Sequence, residues 1–146
     1  MAPLVSMIEI ARSPEEVFAY ATDPLLFAEW QHDVVSVRML ADSQFTTTRR
    51  ISGAERTMTQ RITRNDPPRS WTAQGIDGPI RPHATITVEP IDDGTRSRVT
   101  FALDFEGHGL GVPLLPLVRR QARNGAPTSY GNLKKLLESD QSRGTQ

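Results

Sequence analysis

Two polar side chains, Arg49 and Gln60, fall on strand faces that are otherwise apolar, and they are the main candidates for chemistry in this sequence. Across residues 45–51 alternate positions face the same side of a strand, which places Arg49 among apolar neighbours. The same spacing places Gln60 between Met58 and Ile62. An arginine grips a carboxylate or an enolate with two parallel hydrogen bonds, and a glutamine amide both donates and accepts. Together they would hold the polar or anionic end of a small molecule in an apolar space.

Each of these two groups also has a structural alternative. An unpaired guanidinium facing an apolar space is costly, so Arg49 needs a partner. None of its neighbours in sequence is a carboxylate, which leaves a distant acid such as Glu9 or an oxygen atom of a ligand. The Gln60 amide could instead satisfy a backbone group of a neighbouring strand. The sequence leaves both alternatives open.

Aromatic and small residues complete the candidate site. Trp71, Ala73 and Gly75 share the inward face of one predicted strand, and the two small residues leave volume where bulky side chains would fill a core. The alternative for the tryptophans is simple core packing, and Tyr130 on the last helix could lie on its flank. The predicted ligand-contacting residues are Trp30, Arg49, Met58, Gln60, Trp71, Ala73, Gly75, Phe101 and Tyr130.

The remaining polar residues form no recognisable catalytic motif. His32 and Asp33 are expected as a solvated loop pair, with the mouth of the cavity as the alternative position. His83 is expected on the outer face of a strand, and His108 in a glycine-rich loop. No His-Glu-x-x-His motif, paired histidines or carboxylate cluster occurs, so neither a metal site nor a cofactor is predicted. Ser129 has no catalytic partner at a recognisable spacing.

Composition limits the class of protein. The chain has 146 residues, which corresponds to one domain, and its 17 Lys and Arg balance 17 Asp and Glu. This balance argues against nucleic-acid binding. The longest apolar run, residues 112–118, is too short to span a membrane, and no signal peptide is evident. We therefore expect a cytoplasmic protein, a monomer or homodimer, whose partner is a small hydrophobic or aromatic molecule.

The order of predicted elements indicates an α+β fold. A first strand at residues 4–11 precedes a helix that starts at Pro14 with Ser13 as its N-cap, and a second short helix follows at residues 24–29. Strands are predicted from residue 33 onward, with Val35, Val37 and Met39 facing inward on the first of them. Five more follow at residues 45–51, 58–63, 70–76, 84–90 and 96–105.

One long helical segment then runs to about Glu138, and residues 139–146 form a polar tail. A sheet with one apolar face must cover that face, and the terminal helix is the only element long enough to do so. We therefore expect a curved antiparallel sheet of about seven strands wrapped around the C-terminal helix. The two short helices would close one end of the space between them.

This arrangement resembles the START-like (SRPBCC) superfamily, often labelled the polyketide cyclase/dehydrase and lipid transport family, over nearly all of residues 4–138. The matching motifs are the opening segment 8–24 with Trp30 after it, Asp66-Pro67-Pro68-Arg69, Gly78-Pro79, Val88-Glu89-Pro90, Asp93-Gly94-Thr95-Arg96 and the closing segment 117–138. The resemblance implies a helix-grip fold, with residues 1–138 as a single ligand-binding domain. It also implies a hydrophobic cavity between sheet and helix for a lipid, polyketide, sterol-like or aromatic ligand.

Three functions fit this resemblance. The first is a carrier or sensor that binds a hydrophobic or aromatic ligand, and the missing acid–base pair favours it. The second is a polyketide cyclase or aromatase, in which Arg49, Gln60 or Tyr130 would polarise a carbonyl. The third is a co-chaperone-like interaction module, which would need an apolar outer sheet face. That face is rich in threonine and arginine here, so this module ranks last.

Overall fold

A seven-stranded antiparallel sheet dominates the computed structural model, which describes the backbone of residues 3–144 and the side chains of residues 3–139. The strands are β1 (Leu4–Ile10), β2 (Val34–Ala41), β3 (Gln44–Ile51), β4 (Ala54–Asp66), β5 (Ser70–Asp77), β6 (Ile80–Ile91) and β7 (Arg96–Gly107). Strands β2 to β7 pair in chain order, and β1 joins at the β7 edge, giving the order β1-β7-β6-β5-β4-β3-β2. The predicted antiparallel sheet is confirmed.

The helices begin where the capping residues predict. Helix α1 (Pro14–Ala21) starts after Ser13, whose hydroxyl accepts a hydrogen bond from the backbone N–H of Glu16. Asp23 likewise caps a 3₁₀ turn (Pro24–Leu26), which runs into α2 (Phe27–Trp30).

The terminal helix is longer than predicted. Another 3₁₀ turn (Gly109–Leu114) leads into α3 (Leu115–Gly144), which extends past the predicted end at Glu138. The predicted polar tail, residues 139–146, lies almost wholly beyond the side chains that the structure describes. Within the described part of the chain, none of the helices combines the length and the apolar character needed to cross a membrane.

The core lies between the inward face of the sheet and α3. Val99 and Phe101 of β7 share one apolar cluster with Leu133 of α3. Phe105 packs with Val118 in a second, smaller cluster. The inward face of β7 therefore packs along α3. The structure confirms the helix-grip architecture.

The predicted inward orientation of Val35 in β2 is wrong. Val37 and Met39 pack against the core as predicted, but Val35 is exposed and Val34 is buried instead. The reason is a β-bulge: Val34 pairs with Arg49 and Ser36 with Thr48, so Val35 is an extra residue between them. A bulge reverses which side of the strand the preceding residues face.

Candidate ligand-binding site

A cavity of about 120 Å³ lies between the sheet and α3. An engineered cavity of roughly 150 Å³ in another protein accepts benzene, so this volume suits a single aromatic ring or a short acyl group. Its apolar lining comes from α2, the central strands and α3, and includes Phe27, Trp30, Ile51, Met58, Trp71, Ile86, Phe101, Leu103, Phe105, Val118, Ala122, Ala126 and Tyr130.

Aromatic rings form much of this lining. Phe101 and Tyr130 are stacked, with ring centroids 3.9 Å apart and planes 9° from parallel. The Trp30 ring lies 5.9 Å from Phe101 and 6.3 Å from Tyr130. Trp71 meets Phe27 edge to face at 5.9 Å. Such walls offer both flat and edge-on contacts to an aromatic ligand.

Seven of the nine predicted site residues line the cavity, namely Trp30, Arg49, Met58, Gln60, Trp71, Phe101 and Tyr130. The other two, Ala73 and Gly75, are buried in β5 but lie outside its lining. Ala73 belongs to the main apolar cluster. Gly75 is small for a different reason, because a Cβ atom on it would lie only 2.7 Å from the Cα of Arg81. Its missing side chain therefore allows two backbones to approach and does not make room for a ligand.

We expect Gly75→Ala to lower the free energy of unfolding by about 1–3 kcal/mol, since the added methyl group must displace the backbone at Arg81. Gly131→Ala in α3 is the control. A Cβ atom at Gly131 meets nothing within 4 Å, so this variant should gain about 0.5–1 kcal/mol from helix propensity. Denaturant titration of both variants checks the contrast. Equal stabilities would mean that β5 and β6 are not in close contact at this point.

Arg49 has two partners that also line the cavity. Its Nη1 donates to Oδ1 of Asp33 at 2.8 Å, and its Nη2 donates to Oε1 of Gln31 at 2.5 Å. The side chains of Arg49 and Asp33 are both about four-fifths buried, with 21% and 19% exposed. Glu9, the acid suggested by the sequence, lies on β1 and pairs with Arg96 instead. Strand β1 is the edge of the sheet opposite to β2 and β3. Asp33 is therefore part of the cavity wall and not of a solvated loop.

Gln60 is buried and lines the cavity from β4. Among the described residues, no group forms a hydrogen bond with its amide. The structural alternative, in which the amide satisfies a neighbouring backbone group, is therefore not what the fold uses. Its donor and acceptor remain available to a molecule in the cavity.

The exposed His32 and the buried Ser129 form a contact in the lining of the cavity, and the sequence did not predict this pairing. The backbone N–H of His32 donates to Oγ of Ser129 at 3.1 Å, and His32 Nδ1 lies 3.1 Å from the same oxygen. The imidazole packs over Gly125, where a Cβ atom would lie 2.2 Å from Cε1 of the ring. The small residue at 125 was the only signal of this contact in the sequence. The contact joins the segment after α2 to α3.

The other two histidines lie away from the cavity. His83 and His108 both hydrogen-bond to Glu106, at 3.0 and 2.9 Å. These two bonds, that of His83 first, lower the pKa of the Glu106 carboxyl. Among residues 3–139, no group of three or more His, Cys, Asp or Glu side chains is arranged to hold a metal ion.

Tyr130 is a lining residue whose pKa is shifted. Burial raises the pKa of its hydroxyl to about 12 from an ordinary value of 10.0, and the nearby Arg49 charge opposes this only in part. At neutral pH the hydroxyl therefore keeps its proton and can donate a hydrogen bond to a ligand oxygen. It cannot serve as a base there.

Titration of the tyrosinate absorbance should show Tyr130 ionising only near pH 12, read as the difference between wild type and Tyr130→Phe. A raised pKa in the folded state makes a contribution to stability that is complete below pH 10.0 and is lost as the pH rises towards 12. Between pH 10.0 and 12 the free energy of unfolding of wild type should fall by roughly 2–3 kcal/mol more than that of Tyr130→Phe. Ionisation of Tyr130 near pH 10.0 would place its hydroxyl in water.

The chain matches the family model described as polyketide cyclase/dehydrase and lipid transport over residues 1–138. Solved structures share the fold at low identity. The Zhui aromatase/cyclase from a Streptomyces species is 13% identical, with 93% of each chain covered and a TM-score of 0.80. A START superfamily protein from Mycobacterium smegmatis is 16% identical, with 96% of this chain and 97% of that chain covered and a TM-score of 0.72.

No functionally curated protein matches the sequence significantly. The family match covers the opening helices, the whole sheet and most of α3, so it includes every element that lines the cavity. It confirms the resemblance to the START-like superfamily that the capping and turn motifs indicate. This chain therefore belongs to the polyketide cyclase/dehydrase and lipid transport family.

Proposed function

We propose that this chain binds a small aromatic molecule that carries a carbonyl or phenol oxygen, and that it acts as a carrier or sensor of that molecule. The observation that carries the proposal is that aromatic rings and polar donors line the same cavity. Trp30, Phe101 and Tyr130 supply the rings, and Arg49 and Gln60 supply the donors. Ligand sites commonly combine an apolar lining with a few such polar groups.

The ion pair at Arg49 determines which oxygen suits the site. A guanidinium has five N–H donors, and contacts to Asp33 and Gln31 occupy one donor on each terminal nitrogen. Donors remain for a ligand. Because Asp33 already neutralises the arginine, a ligand carboxylate would also meet the negative charge of Asp33. A neutral carbonyl or phenol avoids this repulsion, so the anionic ligand considered from the sequence is the less favourable choice.

The two tryptophans provide a direct test, because Trp30 and Trp71 are the only tryptophans in the chain and both line the cavity. Their indole N–H signals in a nitrogen–proton correlation spectrum should shift on titration with acetophenone. Isopropylbenzene has nearly the same shape without the oxygen, so it should bind about 10-fold or more weakly, the value expected for a hydrogen bond to a charged group. Benzoate should also bind more weakly than acetophenone. Equal affinity for all three, or unmoved indole signals, would contradict the proposal.

A cyclase or aromatase role is the second candidate, and the position of His32 favours it. The imidazole lines the cavity, and imidazole is the side chain best suited to transfer protons near neutral pH. In this role Arg49 and Tyr130 would polarise a ketone while His32 moves the proton. His32→Gln should then abolish conversion of a linear poly-β-ketone but leave acetophenone binding unchanged. A wild-type chain that binds acetophenone and converts no poly-β-ketone supports the carrier role.

A further inference from the structure

An exposed apolar surface surrounds the start of α3. Leu110 and Val112, in the 3₁₀ turn before the helix, are 86% and 53% exposed, and Leu117 in its first turn is 41% exposed. We call these three residues the apolar rim. Their neighbours Leu114 and Leu115 turn inward and pack against the smaller core cluster. Single exposed apolar residues are ordinary, but three of them within eight residues form a patch that needs an explanation.

The same part of the chain carries an excess of positive charge. The whole sequence has 17 acidic and 17 basic residues, yet residues 107–137 contain no Asp or Glu and five Lys or Arg. Arg120 and Arg123 are exposed on the first turns of α3, next to the apolar rim. Arg119 differs, since it is buried and donates to Asp104. Two exposed arginines thus follow closely in sequence after the three exposed apolar side chains.

We propose that the apolar rim and the two exposed arginines dock this protein on anionic membrane surfaces. Leu110, Val112 and Leu117 would enter the interfacial region of the bilayer, and Arg120 and Arg123 would contact lipid phosphates. Complementary charge is the reason to choose a lipid surface over a second copy of this chain. A symmetric contact between two copies would bring both pairs of arginines into one interface, and the segment 107–137 has no Asp or Glu to offset them.

Docking at this surface would bring the cavity close to the membrane. Val118 and Phe105 line the cavity and belong to the same small cluster as Leu114 and Leu115, which directly adjoin the apolar rim. The rim therefore lies at the end of the cavity bounded by these residues. The docking proposal is independent of what the cavity binds, because it concerns the protein without ligand.

Sedimentation of the full chain with lipid vesicles tests the proposal. The protein should bind vesicles of phosphatidylcholine containing one third phosphatidylglycerol, bind pure phosphatidylcholine weakly, and dissociate as salt is raised. Leu110→Asp/Val112→Asp should reduce binding to the anionic vesicles at least about tenfold. The matched control is Val5→Asp/Met7→Asp, which changes charge equally at side chains 60% and 59% exposed on β1, and it should bind like wild type.

A second pair of variants tests the charged part of the surface. Arg120→Gln/Arg123→Gln should weaken binding to anionic vesicles and make that binding less dependent on salt. The control Arg61→Gln/Arg64→Gln removes the same charge at exposed positions of β4. It should change the binding and its salt dependence only as much as the lower net charge of the protein does. Melting temperatures should be unchanged, because all eight side chains are exposed. Three results would overturn the proposal. The first is that wild type does not bind anionic vesicles, and the second is that the β1 control loses as much vesicle binding as Leu110→Asp/Val112→Asp. The third is that Leu110→Asp/Val112→Asp disrupts a dimer in solution while wild type does not bind vesicles.

Discussion

Replacing Phe101 by alanine is expected to lower the free energy of unfolding by about 3–5 kcal/mol, measured by denaturant titration with far-ultraviolet circular dichroism. The ring is buried, stacks on Tyr130 at 3.9 Å and lies 5.9 Å from Trp30, so its removal takes away both apolar burial and aromatic contacts. One face of the ring borders the cavity, where it has fewer partners to lose. We therefore expect a value towards the lower end of this range.

Leu110→Ala is the control, because this side chain is exposed and its loss should change stability by less than about 0.5 kcal/mol. The cavity should also grow in Phe101→Ala, so this variant should accept a larger aromatic probe than wild type. A loss below about 1 kcal/mol would contradict the packing of β7 on α3.

The strand faces could be predicted wherever the pairing is regular. In β3, Phe45, Thr47 and Ile51 are buried as their alternation predicts, and β3 pairs with β4 without a register shift. In β2 the same reasoning failed at Val35. The extra residue in the pairing of β2 with β3 does not change the alternation of apolar and polar residue types in the sequence. Periodicity identifies an element and its inward face but not its local irregularities.

Small residues were harder to interpret than large ones. The sequence treats Ala73 and Gly75 alike, as missing volume, yet one fills a core position and the other allows contact with the backbone of Arg81. The residues that do adjoin empty space on the helix side, such as Ala122 and Ala126, belong to α3. The two roles of a small residue, lining a cavity and allowing two backbones to approach closely, can be distinguished only from the packing of the sheet and the helix.

The polar contacts of the site join distant parts of the chain. Asp33 is 16 residues from Arg49, and Ser129 is 97 residues from His32. Both contacts depend on how the segment after α2 lies against β3 and α3, which no local pattern encodes. The sequence correctly showed that Arg49 needs a partner, because a buried guanidinium does. It could not show which acid would supply it.

Arg49→Met is expected to weaken acetophenone binding about 10- to 150-fold, the loss of a hydrogen bond worth roughly 1.5–3 kcal/mol to a charged group. The same change leaves the carboxylate of Asp33 and the amide of Gln31 without their partner in a largely buried position. We therefore also expect a loss of stability of about 1–3 kcal/mol. The two effects must be separated before Arg49 can be assigned as a ligand anchor.

The double variant Arg49→Met/Asp33→Asn separates them. Removing the second charge relieves the unpaired carboxylate, so the free energy of unfolding should return most of the way to the wild-type value. Ligand affinity should stay low, because the guanidinium that donates to the ligand oxygen is still missing. Titration of the indole signals and denaturant unfolding on the same protein sample give both quantities.

The outcome decides between the two roles that the sequence left open for Arg49. If affinity returns together with stability, Arg49 acts only by supporting the loop that carries Gln31 and Asp33. The ligand oxygen must then bind another donor of the lining, such as the Gln60 amide or Nε1 of Trp30, which has no hydrogen-bond partner among the described residues. If affinity stays low while stability returns, Arg49 contacts the ligand. Arg49→Lys sharpens this result, since it keeps the charge beside Asp33 but lacks the planar fork, and it should recover stability better than affinity.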